Sequence, residues 1–140
     1  MRDTDHTVDH IDLHGTKILI AEDIGINARI VAGFLKEAGA DCDIVDDGTA
    51  AVAAYLKHPE GYYDLILMDL CMNDMDGCPA TEQIRTSRRK DSLSLPIIAL
   101  SAAADERDLL KEKEAGMNGH LCKPVDRKIL LATVKKYTQK

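Results

Sequence analysis

The stretch Leu65–Asp69 reads LILMD, four consecutive apolar residues followed by one carboxylate. A short run that is apolar at every position is typical of a strand covered on both faces by helices. The segments Lys17–Ala21 and Ile97–Leu100 follow nearly the same pattern. These three segments predict the central strands of a parallel sheet.

Two further segments, Cys42–Val45 and Gly119–Cys122, are more mixed in polarity and are predicted to be edge strands. Helical spacing of apolar residues and capping signals predict a helix after each strand, around Ile26–Ala38, Ala51–Leu56, Ala80–Ile84, Leu109–Ala115 and Ile129–Tyr137. Asp126 is the predicted N-cap of the last helix. Strand and helix therefore alternate five times, which predicts an α/β fold with helices on both faces of one parallel sheet.

Length and composition restrict the classes of protein that fit. The 140 residues suit one domain, with residues 1–16 predicted to be a flexible polar leader or linker and 17–140 the domain. A net charge of −6 argues against binding to nucleic acid. No apolar run approaches the roughly 18 residues that cross a bilayer, and no signal peptide is evident. We therefore expect a cytoplasmic domain without membrane contact.

Two other sequence features favour ordinary structural roles. The four cysteines form no CxxC pair, so incidental thiols are favoured over a disulfide or zinc framework. The basic run Arg85–Lys90 is interpreted as a solvated helix end in preference to a docking patch.

Polar residues follow the predicted strands where a parallel sheet places its binding sites. Glu22 and Asp23 follow the first strand, Asp69 ends the third, Ser101 follows the fourth and Lys123 follows the fifth. Three carboxylates at one edge repel one another unless a hard cation such as Mg²⁺ neutralises them. An ionised Asp69 can attack a phosphoryl group to form an acyl phosphate. Lys123 and the Ser101 hydroxyl could then contact the phosphoryl oxygens.

These residues resemble the receiver domains of two-component response regulators and hybrid histidine kinases. Four stretches carry the resemblance, Ile18–Asp23, Leu65–Gly77, Ile97–Ala102 and Ala115–Pro124. Each is short, but together they match the family's order and spacing from about Lys17 to the end of the chain. The resemblance implies a flavodoxin-like, doubly wound (βα)5 fold with strand order 2-1-3-4-5.

The resemblance also implies a role for each residue of the site. Asp69 would be the phosphoacceptor, and Glu22 and Asp23 would hold Mg²⁺ together with Asp69 and the main-chain carbonyl of Cys71. Ser101 and Lys123 would contact the phosphoryl group.

In much of the family the peptide bond equivalent to Lys123–Pro124 is cis, and it is expected to be cis here. The resemblance fits either a single-domain regulator or a receiver cut from a hybrid histidine kinase. Asn27, four residues after Asp23, favours the hybrid kinase, since receivers of hybrid kinases often carry Asn at this position.

One position departs from the family's pattern in a way that affects the switch. Family members usually have an aromatic residue three positions before the lysine, whose ring moves inward when the Ser or Thr engages phosphate. Here that residue is His120, a smaller ring that can be neutral or charged near neutral pH. A gating role together with Ser101 and a plain solvent-facing role both remain open. Asn73 replaces a common Pro and should loosen the loop after Asp69 without removing a reacting group.

The implied function is a phosphorelay step in two-component signalling, in which the domain catalyses its own phosphorylation and dephosphorylation. The donor would be a histidine kinase or a histidine phosphotransfer domain docked near the first helix. Phosphorylation would then alter the surface formed by helix 4, strand 5 and helix 5, which could also mediate a dimer.

Three other classes of protein fit the sequence less well. A haloacid-dehalogenase-like phosphatase would want a second Asp at position 71, which is Cys. A flavodoxin-like cofactor-binding module would want a less acidic first loop. A degenerate receiver would have lost Asp69, the acidic pair or Lys123.

Overall fold

The computed structural model describes residues 11–70, 77–102 and 105–139. Its strands are β1 (Lys17–Ala21), β2 (Asp41–Val45), β3 (Leu65–Asp69), β4 (Ile97–Ser101) and β5 (Gly119–Cys122). Its helices are α1 (Gly25–Glu37), α2 (Gly48–Lys57), α3 (Gly77–Arg85), α4 (Glu106–Ala115) and α5 (Arg127–Thr138). Each predicted strand and helix is present in the predicted order.

All five strands are parallel and lie in the order β2-β1-β3-β4-β5. The predicted flavodoxin-like topology is therefore confirmed, with β2 and β5 at the edges. In β3 every residue is buried, whereas only Leu121 is buried in β5. A fully apolar run therefore indicates a central strand, and a mixed run indicates an edge strand. Only a central strand is covered by helices on both faces and by neighbouring strands on both sides.

Alternating side chains of the central strands point to opposite faces and form two core layers. Ile18, Ile20 and Leu67 pack in the layer that also contains buried residues of α1 and α5. Leu19, Ile66 and Met68 pack in the other layer, which contains buried residues of α2 and α3. The sheet is held between these layers, so its strand ends are fixed relative to one another.

In three helices, some apolar residues whose spacing predicts the helix are exposed and do not face the core. The apolar spacing predicts that Ile129, Leu130, Val134 and Tyr137 share one side of α5, yet Ile129 is 58% exposed, and Leu130, Leu131 and Val134 form the buried side. On α1, Ile26 and Ile30 are likewise exposed. Leu109 and Leu110, which mark α4 in the sequence, are also exposed. Apolar spacing found these helices, but it did not decide which apolar residues face the core.

Caps define several helix ends. The side chain of Asp126 accepts a hydrogen bond from the Ile129 amide at 2.9 Å, which confirms the predicted N-cap. Asp47 and Asp105 cap α2 and α4 in the same way. After α4, Gly116 adopts a left-handed conformation with φ of 102°, which costs glycine little because it has no Cβ.

Part of the predicted leader belongs to the packed domain. Leu13 is 1% exposed within the core layer of α1 and α5, and Ile11 packs against that layer. The Leu13 amide also donates a hydrogen bond to the Ala38 carbonyl at 2.7 Å. Residues 11–16, which the sequence analysis assigns to the leader, therefore contact the core through one buried leucine. The rest of the predicted leader, residues 1–10, lies outside the described residues.

Arg85 departs from the solvated helix end that the basic run predicts. Its guanidinium is half-buried and donates hydrogen bonds to the carbonyls of Gly116, Ser92 and Leu95 at 2.7–3.1 Å. It thereby connects the end of α3 to the turn between α4 and β5. No helix in the described part of the chain is long and apolar enough to cross a membrane.

Candidate functional site

Three carboxylates meet at the carboxyl ends of β1 and β3. Oxygen atoms of Glu22, Asp23 and Asp69 all lie within 4.8 Å of one another. Asp69 is 1% exposed and Glu22 is 3% exposed, whereas Asp23 is only partly buried. The convergence follows from the topology, because β1 and β3 are adjacent and parallel. The structure therefore brings together the acidic trio that the sequence predicts.

Lys123 completes the cluster from the end of β5. Its Nζ lies 2.9 Å from Glu22 Oε1 and 3.0 Å from Asp69 Oδ1. The Lys123 amide donates a hydrogen bond to the Ser101 carbonyl at 2.9 Å, which joins the ends of β4 and β5. The Lys123–Pro124 peptide bond is cis. Charge attraction thus links three strand ends through one ammonium group.

Burial and mutual charge alter the protonation of this cluster. Burial raises the pKa of Glu22, the hydrogen bond from Lys123 opposes that rise, and the neighbouring Asp69 carboxyl adds to it. For Lys123, burial favours the neutral amine, but hydrogen bonds to Glu22 and Asp69 outweigh it and raise the pKa. The charged form of Glu22 is therefore disfavoured, whereas the charged form of Lys123 is stabilised.

The donor set of the acidic trio fits a hard divalent cation. Mg²⁺ prefers carboxylate oxygens and keeps several waters, so a partly solvent-accessible group of three carboxylates suits it. Burial, and to a smaller extent the neighbouring Asp69 carboxyl, raises the pKa of Glu22 despite the hydrogen bond from Lys123, and a bound cation would favour the charged form of this carboxylate. Cys71, whose carbonyl the family resemblance adds to the metal ligands, lies outside the described residues, as does Asn73.

Gly77, at the start of α3, packs against the main chain of Asp69. A Cβ atom at this position would lie 2.5 Å from the Asp69 carbonyl oxygen and 2.8 Å from Met68 Cγ. Both distances are shorter than a carbon atom tolerates, so only glycine lets α3 begin directly against the end of β3. Sequence reasoning placed Gly77 in the matching motif but did not assign it this packing role.

Ser101 is the last residue of β4, and its position in the sheet is opposite Cys122. It is partly buried and stands one strand away from Asp69, since β3 and β4 are neighbours. This places its hydroxyl group at the same edge of the sheet as the acidic trio and Lys123. All five side chains predicted from the strand ends therefore share one edge.

A groove opens beside Lys123 on the outer side of the site. It has a volume of about 290 Å³ and is lined by Glu22, Asn27, Ile30, Val31, Lys123, Pro124 and Val125. Ile30, Val31, Pro124 and Val125 make much of this lining apolar. Asn27, singled out in the sequence, lies in this groove and not among the acidic trio.

His120 faces α4 and not open solvent. Its Nδ1 lies 2.8 and 2.9 Å from the two carboxylate oxygens of Glu112, whose side chain is 5% exposed. Sequence reasoning missed Glu112, because it stands in a strongly charged helix segment where nothing distinguishes it from its exposed neighbours. The plain solvent-facing reading of His120 does not hold, since its side chain is only 13% exposed.

This fold, with an acidic trio, a lysine and a serine at one sheet edge, is the arrangement that the resemblance to receiver domains implies. The family model described as the response regulator receiver domain matches residues 18–135. The chain therefore belongs to the receiver domain family of two-component systems.

Two solved structures are similar over nearly the whole chain. One is the receiver domain of a sensor histidine kinase from Pseudomonas aeruginosa, with a magnesium ion coordinated in its active-site cleft. It is 33% identical, with a TM-score of 0.80, over 90% of this chain and 99% of that one. The other is the receiver domain of the response regulator Ssk1 of Saccharomyces cerevisiae, crystallised with the histidine phosphotransfer protein Ypd1. It is 28% identical, with a TM-score of 0.79, over 90% of both chains.

The curated relatives include several histidine kinases. Histidine kinase 1 of Arabidopsis thaliana is 34% identical over 91% of this chain and 13% of the kinase. The sensor protein GacS of Pseudomonas syringae is 36% identical over 87% of this chain and 13% of that protein. The chain thus spans only 6–14% of the length of the curated relatives it matches.

Proposed function

We propose that this receiver domain accepts a phosphoryl group from a phosphohistidine onto Asp69. The observation that carries the proposal is the buried Asp69 carboxylate, held 3.0 Å from the Lys123 ammonium and within 4.8 Å of two further carboxylates. In the transfer, an Asp69 oxygen forms a bond to phosphorus while the phosphorus–nitrogen bond of the donor breaks. The electron pair of the broken bond stays on the donor imidazole.

Residues of this chain would position and stabilise the transferred group. Lys123 would exchange its contact with Asp69 for the phosphoryl oxygens, where its positive charge offsets the charge that develops. The Ser101 hydroxyl would donate a hydrogen bond to another phosphoryl oxygen. Glu22 and Asp23, with Asp69 and the Cys71 carbonyl, would hold Mg²⁺, which neutralises the carboxylates and the phosphoryl oxygens when bound.

The groove beside α1 is the proposed docking site for the donor. We commit to one occupant, a helix of a histidine phosphotransfer protein or histidine kinase. The groove is lined by Ile30 and Pro124 together with Lys123, so an apolar helix face lying in it would bring its histidine towards Asp69. The Ssk1 receiver crystallised with Ypd1 supports a partner of this kind.

The same proposal extends to the parent protein, its location in the cell and the output surface. The similarity to histidine kinases and the position of Asn27 support a receiver that belongs to a hybrid kinase. Phosphohistidine made from ATP is a cytoplasmic donor, so the proposal extends to a cytoplasmic location. The surface of α4, β5 and α5, on which Leu109 and Leu110 are exposed, would carry the output or a dimer contact.

The test is NMR of the Mg²⁺-loaded domain with and without beryllofluoride, which mimics an aspartyl phosphate. We expect saturable shifts of resonances around Ser101 and Lys123 in the wild type. The matched variant Asp69→Asn keeps the side-chain size and should show none of them. The absence of any Asp69-dependent shift would overturn the proposal and would favour a module that only mediates contacts.

A further inference from the structure

Among the described residues that line the groove beside Lys123, Asn27 is the one with a neutral polar side chain. It stands in the first turn of α1 and is partly buried. The other lining residues are either charged, Glu22 and Lys123, or apolar. A carboxamide can both donate and accept hydrogen bonds without carrying a charge. The groove therefore presents a neutral hydrogen-bonding group beside two charged ones.

Within the described part of the chain, the Asn27 side chain makes no hydrogen bond to another residue. Asn118, the other asparagine in these ranges, shows the contrast. Its Oδ1 accepts hydrogen bonds from the Ile97 amide and from Arg85 Nη2, both at 2.8 Å. The carboxamide of Asn118 is thus engaged in holding the fold together, whereas that of Asn27 is available to a molecule in the groove.

Asn27 stands close to the groups of the proposed reaction. Glu22 and Lys123 line the same groove, and Lys123 Nζ lies 3.0 Å from Asp69 Oδ1. The groove therefore ends at the charged cluster around Asp69. A donor that reaches Asp69 through this groove has its leaving group in the groove, alongside Asn27.

The leaving group of a phosphohistidine is an imidazole ring with two nitrogens. Phosphorus is bonded to one of them, and a proton on the other lets the ring leave as neutral imidazole. A hydrogen-bond acceptor at that N–H orients the ring and favours its protonated form. Lys123 can only donate, and the Glu22 carboxylate already accepts from Lys123. The Asn27 oxygen is the neutral acceptor that the lining offers.

We propose that Asn27 recognises the imidazole ring of the phosphohistidine donor, with its carboxamide oxygen accepting the hydrogen bond from the ring N–H. The inference deepens the function proposed for Asp69 and rests on it. As the bond from the Asp69 oxygen to phosphorus forms, the phosphorus–nitrogen bond breaks and its electron pair goes to the ring nitrogen. The proton on the other nitrogen stays on the ring. Asn27 therefore makes the domain select donors by their leaving group.

The first test compares three small phosphodonors on the Mg²⁺-loaded domain. Monophosphoimidazole carries the ring, whereas acetyl phosphate and phosphoramidate do not. We expect Asn27→Ala to slow phosphorylation by monophosphoimidazole about tenfold, as the loss of one hydrogen bond predicts, and to leave the rates with the other two donors unchanged. Asn27→Leu keeps the approximate size of the side chain but lacks the acceptor, so it should lose as much. Mass spectrometry of the phosphorylated domain measures each rate.

The second test measures binding without any phosphoryl transfer. In alkaline buffer imidazole is mostly neutral and can donate its N–H, whereas 1-methylimidazole cannot. We expect imidazole to shift the side-chain NH₂ resonances of Asn27 in ¹H–¹⁵N NMR spectra, and 1-methylimidazole at the same concentrations to shift them much less. The same response to both compounds would overturn recognition of the ring N–H.

A matched control lies one residue away on α1. The Ile26 side chain is 68% exposed and lies outside the groove lining, so Ile26→Ala should keep the wild-type rate with all three donors. A loss in the Asn27 variants that is equal for the three donors, or no loss at all, would overturn the role of Asn27 alone. A wild type in which no donor phosphorylates Asp69 would overturn the proposed function, and this inference with it.

Discussion

The two ends of β5 carry basic side chains in different surroundings. At one end Lys123 contacts Glu22 and Asp69 beside an open groove, and at the other His120 contacts Glu112 beneath α4. A lysine ammonium is a compact, permanent charge on a flexible stem, which suits a contact that is exchanged for phosphoryl oxygens. An imidazole is a rigid ring with directional nitrogens, which suits a packed contact. The same strand therefore joins the proposed reacting end, at Lys123, to a structural end, at His120.

The largest expected effect is at the reacting end. Replacing Lys123→Met should slow phosphorylation by a small-molecule phosphodonor such as acetyl phosphate about 100-fold, because a preorganised cation is lost. The rate is measured by mass spectrometry of the phosphorylated domain. Mg²⁺ binding, followed by NMR, should be at least as tight as in the wild type, since the lysine no longer competes for Glu22 and Asp69. A near-normal rate would mean that Lys123 serves only to offset charge.

The structural end should respond in stability. His120→Ala leaves the Glu112 carboxylate buried without its partner, so the free energy of unfolding should fall by about 2 kcal/mol. Urea unfolding followed by circular dichroism measures this change. The double variant His120→Leu with Glu112→Leu should recover most of the loss, because neither buried group is then polar. A single variant as stable as the wild type would show that the contact is not maintained in solution.

A third prediction concerns the groove beside Lys123, which lies at the Lys123 end of β5. Ile30→Asp places a charge on the apolar lining and should slow phosphotransfer from a phosphorylated histidine phosphotransfer protein about tenfold. Acetyl phosphate should phosphorylate this variant at the wild-type rate, because it needs no docking surface. Leu110→Asp on α4 is the matched control, since that leucine is also exposed but lies away from the groove. Equal effects at both positions would contradict a docking site on α1.

The smallest effect concerns the pH dependence of stability at the acidic trio. Because burial raises the pKa of Glu22, the folded state binds its proton more tightly than the unfolded state. The contribution of Glu22 to stability is then most favourable at low pH and declines as pH rises from its unfolded pKa through the raised one. Glu22→Gln should therefore be more stable than the wild type at neutral pH without Mg²⁺, with the difference shrinking under acid. Thermal unfolding across pH checks the sign, and a less stable variant at neutral pH would reverse it.

Most of the fold could be predicted from the sequence because burial on two faces leaves a direct pattern. The uninterrupted run Leu65–Asp69 marks a central strand, and mixed runs mark the edges. Helix rotation was less predictable. Ile129 is apolar and correctly spaced, yet Leu131 takes the place in the core, because α5 offers more apolar residues than its buried face can hold.

The candidate site was predicted more completely than its surroundings. Glu22 and Lys123 directly follow strands and Asp69 ends one, so the parallel sheet alone brings them to one edge. Glu112 was not found, because its importance depends on the rotation of α4 and on the ring of His120. Arg85 was misread for a similar reason, since the carbonyls that it contacts belong to distant segments of the chain.

The sequence by itself determined the alternation of strands and helices, the parallel sheet and the residues at its carboxyl edge. Those features depend on periodicity and strand ends, which are local properties of the chain. Only the tertiary structure decided that Leu13 belongs to the core, that Ile30 lines a groove, and that His120 faces a buried carboxylate. Each of these depends on how separate elements pack, and packing is set by the shapes and rotations of all the neighbours together.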